Sequence, residues 1–233
     1  MKEKIINDLE LGEIVLRRNR RAKRYLIHIK DGKIIATIPW RGNEQTMLAF
    51  IHEQRSRLVA MQQKNAKHRL LDERTELQTL TFRLHIFRSQ RTNFYAALKE
   101  GMLHIACPEN TDFGDRQIQQ KLHSILKQAL KREANLTLPV RLKHLARLHH
   151  FDYNKVNIRD TKTRWGSCTA RKDISLSVSL MLLPLYLADY VMLHELCHTV
   201  EMNHSERFWS LMDKVTNKQA KILRRELKEH QML

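Results

Sequence analysis

Between residues 194 and 204 the chain reads His194-Glu195-Leu196-Cys197-His198-Thr199-Val200-Glu201-Met202-Asn203-His204. Its first five residues form an HExxH pattern, whose chemistry follows from helical geometry. At 3.6 residues per turn, positions 194 and 198 lie about 40° apart on one face, so both imidazoles can reach one tetrahedral metal. Glu195 stands about 100° round from His194. There it is too displaced to be a natural ligand, but well placed to take a proton from water held in the open coordination position. Leu193, Leu196, Cys197 and Val200 repeat at i, i+3, i+4, i+7 on another face, which is expected to bury against the core.

Catalytic zinc usually takes three protein ligands plus water. His204 is the obvious third, because it follows His198 by the spacing of the longer HExxHxxGxxH pattern, where the helix ends so that the chain can return the last histidine to the metal. Glu201 stands where that pattern has glycine, so the turn must be made otherwise. Asn203, which tolerates left-handed geometry, is the candidate to close the helix. No later methionine-bearing turn is evident, so the chain does not read as a metzincin. Glu226 or Glu229 are alternative third ligands, although the solvated face of a terminal helix is their ordinary role. Glu206 or Glu201 could orient a ligand imidazole from behind.

The elements that must position these residues are legible in outline, and they make an α+β protein. Ile29-Lys30-Asp31-Gly32-Lys33 and Leu98-Lys99-Glu100-Gly101-Met102 each join two strand-like runs, and each second run stops at a proline, Pro39 or Pro108. Both read as β-hairpins turned by Asp-Gly or Glu-Gly, and they make either a faint internal repeat or a chance resemblance between two common units. An amphipathic helix follows each, over about 43–66 and about 115–134. After Pro139 a further helix to about His149 leads into strands near 155–159 and 174–180. From Pro184 the chain reads as helical to about Asn203, and a last helix runs over about 205–229. We expect an N-terminal hairpin-and-helix region over 1–110 and a catalytic core over 111–233, with no low-complexity linker to mark the boundary.

The bulk properties narrow the setting. A hydrophobic share of 42% and a charged share of 29% are those of an ordinary globular protein. No stretch approaches the roughly 18 apolar residues of a spanning helix, and residues 1–20 lack the apolar run of a secretory signal, so a cytoplasmic location is expected. Cys107, Cys168 and Cys197 are an odd number without paired spacing and read as thiols in a reducing compartment. The formal net charge of +17 is the unusual bulk value. It makes nucleic acid, ribosomes or acidic protein segments plausible partners, with general solubility as the plainer account.

Beyond the metal motif, the chain holds Arg164-Trp165-Gly166-Ser167-Cys168, then Pro184, Tyr190-Val191, and Asn203-His204-Ser205 with Phe208-Trp209. In these residues and His194–His198 it resembles the YgjP-like metallopeptidase family, which is similar to the SprT-like and WLM zinc proteases, some of which act on proteins crosslinked to DNA. The basic run Arg17-Arg18-Asn19-Arg20-Arg21-Ala22-Lys23-Arg24 also looks like the family's N-terminal strand. The resemblance implies a zincin-like core whose active helix packs under a small sheet, with His194, His198 and His204 at the metal positions and Glu195 as the catalytic glutamate. Trp165 to Cys168 is then either a tight turn with a packed indole or a strand along the cleft, where an extended substrate adds to its edge. Cys168 is either a half-buried thiol or a fourth metal ligand.

The expectation is a peptidase binding one Zn2+ per chain and hydrolysing a protein or peptide substrate through metal-activated water, with Glu195 as general base. Two other classes compete. One is a basic nucleic-acid-associated protein whose protease activity is directed at or near DNA- or RNA-bound proteins. The other is a non-catalytic, zinc-stabilised module.

Overall fold

A computed structural model describes residues 3–30, 33–67, 70–161, 163–230 and 232. The chain divides by its internal contacts into two units, residues 1–70 and 71–233.

In the first unit β1 (Glu3–Asp8), β2 (Gly12–Asn19), β3 (Leu26–Lys30) and β4 (Lys33–Pro39) form a sheet of order β1-β2-β4-β3, followed by α1 (Glu44–Glu53) and α2 (Arg55–Lys67). Strand alternation sends Ile14, Leu16, Ile34, Ala36 and Ile38 to one side, where Met47 and Ile51 of α1 cover them. The side chain of Asn43 caps α1 by accepting from the amide of Gln45. The Asp31-Gly32 turn expected from sequence lies outside the described residues.

The second unit begins with β5 (Arg83–Ser89), β6 (Tyr95–Lys99) and β7 (Met102–Pro108), in the order β5-β7-β6. Glu100 and Gly101 turn the β6–β7 hairpin with φ of 50° and 72°. Positive φ at both central residues gives a turn whose twist matches the strands, and glycine adopts it without a Cβ penalty. This sheet repeats the topology of the first: β2 runs parallel to β4 as β5 does to β7, and β3 and β6 pair antiparallel to the last strand. The likeness reaches side chains. Arg18 Nη1 donates to the carbonyls of Trp40 and Gly42, just past Pro39, and Arg88 Nη1 donates to those of Glu109 and Thr111, just past Pro108.

After Asp115, whose carboxylate caps the amides of Gln117 and Ile118, comes α3 (Arg116–Leu148). The two helices expected on either side of Pro139 are therefore one. Proline removes one main-chain hydrogen bond and crowds the preceding turn, but Leu122, Leu126, Leu130, Ala134, Leu138, Leu142 and Leu145 make one buried stripe through it. Packing of both halves on one core offsets the local cost.

Strands β8 (Lys155–Arg159), β9 (Gly166–Cys168) and β10 (Asp173–Ser177) form a second small sheet, order β8-β10-β9, with β9 at its edge. A 3-10 turn (Val178–Leu182) leads to α4 (Leu185–Cys197), then α5 (Glu206–Val215) and α6 (Ala220–Leu227). Three expectations are corrected here. The helix from Pro184 stops at Cys197 rather than near Asn203, through short turns from Thr199 to Leu196 and from Val200 and Glu201 to Cys197. Asn203 is not left-handed. The single last helix is two, because Asn217 and Lys218 adopt φ of 50° and 64° and break it.

One large core joins β5, β7, α3, β10 and α4 in the second unit. Leu71, Phe82, Leu84 and Ile105 belong to it, as the division of the chain after residue 70 requires. Arg141 on α3 clamps α4 through a two-pronged pair with Asp189, Nε to Oδ1 at 2.8 Å and Nη2 to Oδ2 at 2.6 Å. Among the described residues no helix is long and apolar enough to cross a membrane.

Candidate metal centre

The last turn of α4 carries His194 and Glu195, and His198 caps it. Leu193, Leu196 and Cys197 are buried as the apolar face requires, whereas Val200, beyond the helix end, is 61% exposed. Ending at Cys197 leaves residues 199–205 to double back, and Ser205 starts α5 by accepting from the amide of Phe208. That return brings His204 to α4. The nitrogen ligand atoms of His194, His198 and His204 lie within 4.8 Å of one another, with the Nε2 atoms of His194 and His204 at 3.0 Å. Three neutral imidazoles converging on one point are a donor set that suits zinc and several other transition metals.

Each ring is held from outside the cluster. His198 Nδ1 hydrogen-bonds the main-chain oxygen of Glu201 at 3.0 Å, which leaves its Nε2 to face the other rings. The Glu201 backbone, rather than a Glu201 or Glu206 carboxylate, thus orients this imidazole. Phe208 stacks on His198 with centroids 4.5 Å apart, and Trp209 stacks on His204 at 5.9 Å. The Arg224 guanidinium lies 5.0 Å from the centroid of the Trp209 ring. These two aromatic residues, adjacent on α5, are roles that the spacing of the metal motif could not reveal.

Electrostatics favour the neutral rings of His194 and His204 in the metal-free protein. Burial, then the neighbouring His198, His204 and Arg224, push His194 down to about 3. Burial, His198 and Arg224 also lower His204. A histidine must be neutral to ligate, so the site is poised for a cation rather than for protons.

Glu195 is 5% exposed, and burial pushes its carboxyl up to about 8 against the opposing charge of Arg164. Its Oε2 has no hydrogen-bond partner. A buried polar atom without a partner is costly unless a ligand completes it. The space it occupies is set by Gly166 on β9, which packs beside α4: a β-carbon on Gly166 would stand 2.6 Å from Glu195 Oε1. Donor chemistry and the orphaned carboxylate oxygen together fit a catalytic divalent metal.

The alternatives raised from sequence fall away from the cluster. Glu226 accepts from the hydroxyl of Tyr186. Among the described residues no cysteine or carboxylate joins the three histidines within ligand spacing. Cys168 is half-buried, its thiol hydrogen-bonds the carbonyl of Thr169, and burial first, then Glu195, pushes it up to about 11.

The arrangement defines a metallopeptidase-like centre, and the comparison with known families agrees. The YgjP-like metallopeptidase domain matches residues 23–230, and the chain belongs to that family. Among solved structures, the metallopeptidase zymogen of Pyrococcus abyssi abylysin is similar at 23% identity over 40% of this chain and 95% of its own, with a TM-score of 0.35, a likeness too slight to argue from. Comparison with curated proteins finds none that matches.

Proposed function

We propose that this protein is a zinc-dependent peptidase with a zincin-like core, in which His194, His198 and His204 hold one Zn2+ and Glu195 is the general base. The observation that carries the reading is the convergence of the three imidazoles beside a buried carboxylate whose Oε2 has no partner. Zinc held there supplies a Lewis acid that brings the pKa of water towards neutrality and polarises a carbonyl.

Glu195 accepts the proton of the attacking water and delivers it to the departing amine, so no covalent intermediate with the protein is needed. Burial raises its carboxyl in the metal-free protein, and a divalent cation nearby opposes that shift and favours the ionised form that accepts the proton. Gly166 leaves the carboxylate room. The main-chain oxygen of Glu201 fixes the tautomer of His198, while Phe208 and Trp209 fix the ring planes of His198 and His204. The free state of Cys107, Cys168 and Cys197 fits a reducing, cytoplasmic setting.

The test is hydrolysis of an unfolded fluorogenic protein substrate by the purified chain. Activity is expected to vanish with a chelator, return with zinc, and fall by a factor on the order of 10²–10⁴ in Glu195→Gln with zinc retained. A zinc-loaded protein as active in Glu195→Gln as in wild type would overturn the base assignment, and a zinc-loaded protein that cleaves no substrate would favour the non-catalytic module.

A further inference from the structure

The outer face of the β5-β7-β6 sheet carries rings that its topology does not require. Alternation sends Leu84, Ile86, Leu103, Ile105 and Cys107 into the core and turns Arg83, His85, Phe87, Tyr95, Lys99 and His104 the other way. His85 and His104 sit opposite each other in register and share an Nδ1···Nδ1 hydrogen bond of 3.2 Å. Phe87 stacks on His85, with centroids 5.1 Å apart and planes 20° from parallel, and meets His104 edge-on at 6.4 Å. Tyr95, 50% exposed, has the Arg91 guanidinium 4.8 Å from its ring.

The first sheet is the internal control. Counting back along the paired strands from Pro39 and from Pro108, the positions of His85, Phe87, His104 and Tyr95 are held there by Val15, Arg17, Ile35 and Leu26. The same strand arrangement is built with three aliphatic residues and an arginine in one copy and with rings in the other. Folding therefore does not account for the rings.

Charge names the partner. None of the three strands contains an aspartate or glutamate. Among the described residues no carboxylate forms an ion pair with Arg83, Arg91 or Lys99. The ring group on β5 and β7 and the ring on β6 flank the central strand, so two stacking places stand on the order of 10 Å apart, two strand spacings. Flat rings, with His85 and Tyr95 exposed and Phe87 half-buried, rimmed by cations that have no carboxylate partner, match a polymer with flat bases and regularly spaced phosphates. A duplex hides its base faces, and an acidic peptide offers none.

We propose that this sheet face binds single-stranded nucleic acid, with Phe87, His85 and Tyr95 stacking on bases and Arg83, Arg91 and Lys99 meeting phosphates. The inference does not depend on the metal centre or on peptidase activity.

Fluorescence anisotropy of the full-length chain with labelled 20-mer oligothymidylate and oligouridylate tests it. Three phosphate contacts predict a loss of about 20-fold in affinity between 50 and 200 mM salt. A Phe87→Ala/Tyr95→Ala double variant is expected to bind roughly 10–100-fold more weakly, with its melting temperature and zinc content unchanged. Arg83→Gln/Arg91→Gln/Lys99→Gln should weaken binding and flatten the salt dependence. If Phe87→Ala perturbs folding, Tyr95→Ala alone decides, since that ring is half exposed. The proposal is overturned if single strands do not bind, if a duplex of the same length binds equally well, or if the folded ring variants lose nothing. It is also overturned if polyglutamate displaces the probe as well as unlabelled oligonucleotide does, which would make the face a site for acidic protein segments.

Discussion

Gly166 on β9 and Glu195 on α4 fill one small space: a β-carbon at Gly166 would lie 2.6 Å from Oε1, 2.7 Å from Cγ and 2.9 Å from Cδ of the glutamate. Glycine here serves close approach rather than backbone freedom. The clash meets a side chain rather than main chain, so Gly166→Ala should fold and displace the carboxylate. We expect zinc content equal to wild type and hydrolysis reduced about 100-fold, the effect of misplacing a reacting group by about an ångström. Full activity in the folded variant would mean that Glu195 does not act from this position.

Glu195 and His194 give the metal-free protein opposing pH dependences. The carboxyl of Glu195 rises from 4.5 to about 8 on folding, so its contribution is complete below pH 4.5 and is lost as pH rises through 8. His194 falls from 6.5 to about 3, so its contribution is complete above pH 6.5 and is lost as pH falls through 3. The two slopes offset each other between 4.5 and 6.5. Chelated wild type should therefore lose stability from pH 6.5 to 8, by about 2 kcal/mol if Glu195 alone acts. In Glu195→Gln that limb should be flat, as followed by urea unfolding across the range.

His204 stands alone among the three ligand candidates in being exposed and off the helix. His204→Ala should lose the metal measured by elemental analysis, whereas Glu226→Ala, whose carboxylate is engaged by Tyr186, should keep about one equivalent. Zinc retained in His204→Ala and lost in Glu226→Ala would reverse the assignment.

Arg141 and Asp189 join α3 to α4, the helix that carries His194 and Glu195, with the aspartate side chain 18% exposed. Asp189→Ala leaves a partly buried guanidinium without its partner and should cost about 2 kcal/mol in denaturant unfolding. An Arg141→Met/Asp189→Leu pair should recover part of that loss, because the desolvated charges go together. A double variant less stable than either single one would contradict this account.

Local chemistry carried the metal motif into view from sequence. Two histidines four apart with a glutamate between them must share a helical face, and the pattern holds whatever surrounds it. Hairpins were equally legible, because Glu100-Gly101 demands positive φ and Pro39 and Pro108 end their strands. Helix ends were harder. Pro139 marks a break by propensity, yet the buried leucine stripe on both sides of it carries α3 through. Cys197 ends α4 without a glycine or an asparagine in left-handed geometry, through turns that no single residue type announces.

The sequence by itself determined the chemistry available to this protein: three histidines and a glutamate at spacings that suit a catalytic metal, and membership of a family recognisable over most of the chain. Tertiary structure alone decided how that chemistry is held. Gly166 meets Glu195 from a strand 29 positions earlier, Phe208 and Trp209 stack on His198 and His204, and the hairpin of β6 and β7 joins the second unit rather than the first. Spacing along a helix is a local property that the backbone imposes within a few residues. Close packing between elements depends on which faces are buried together, and that is settled only when the whole core assembles.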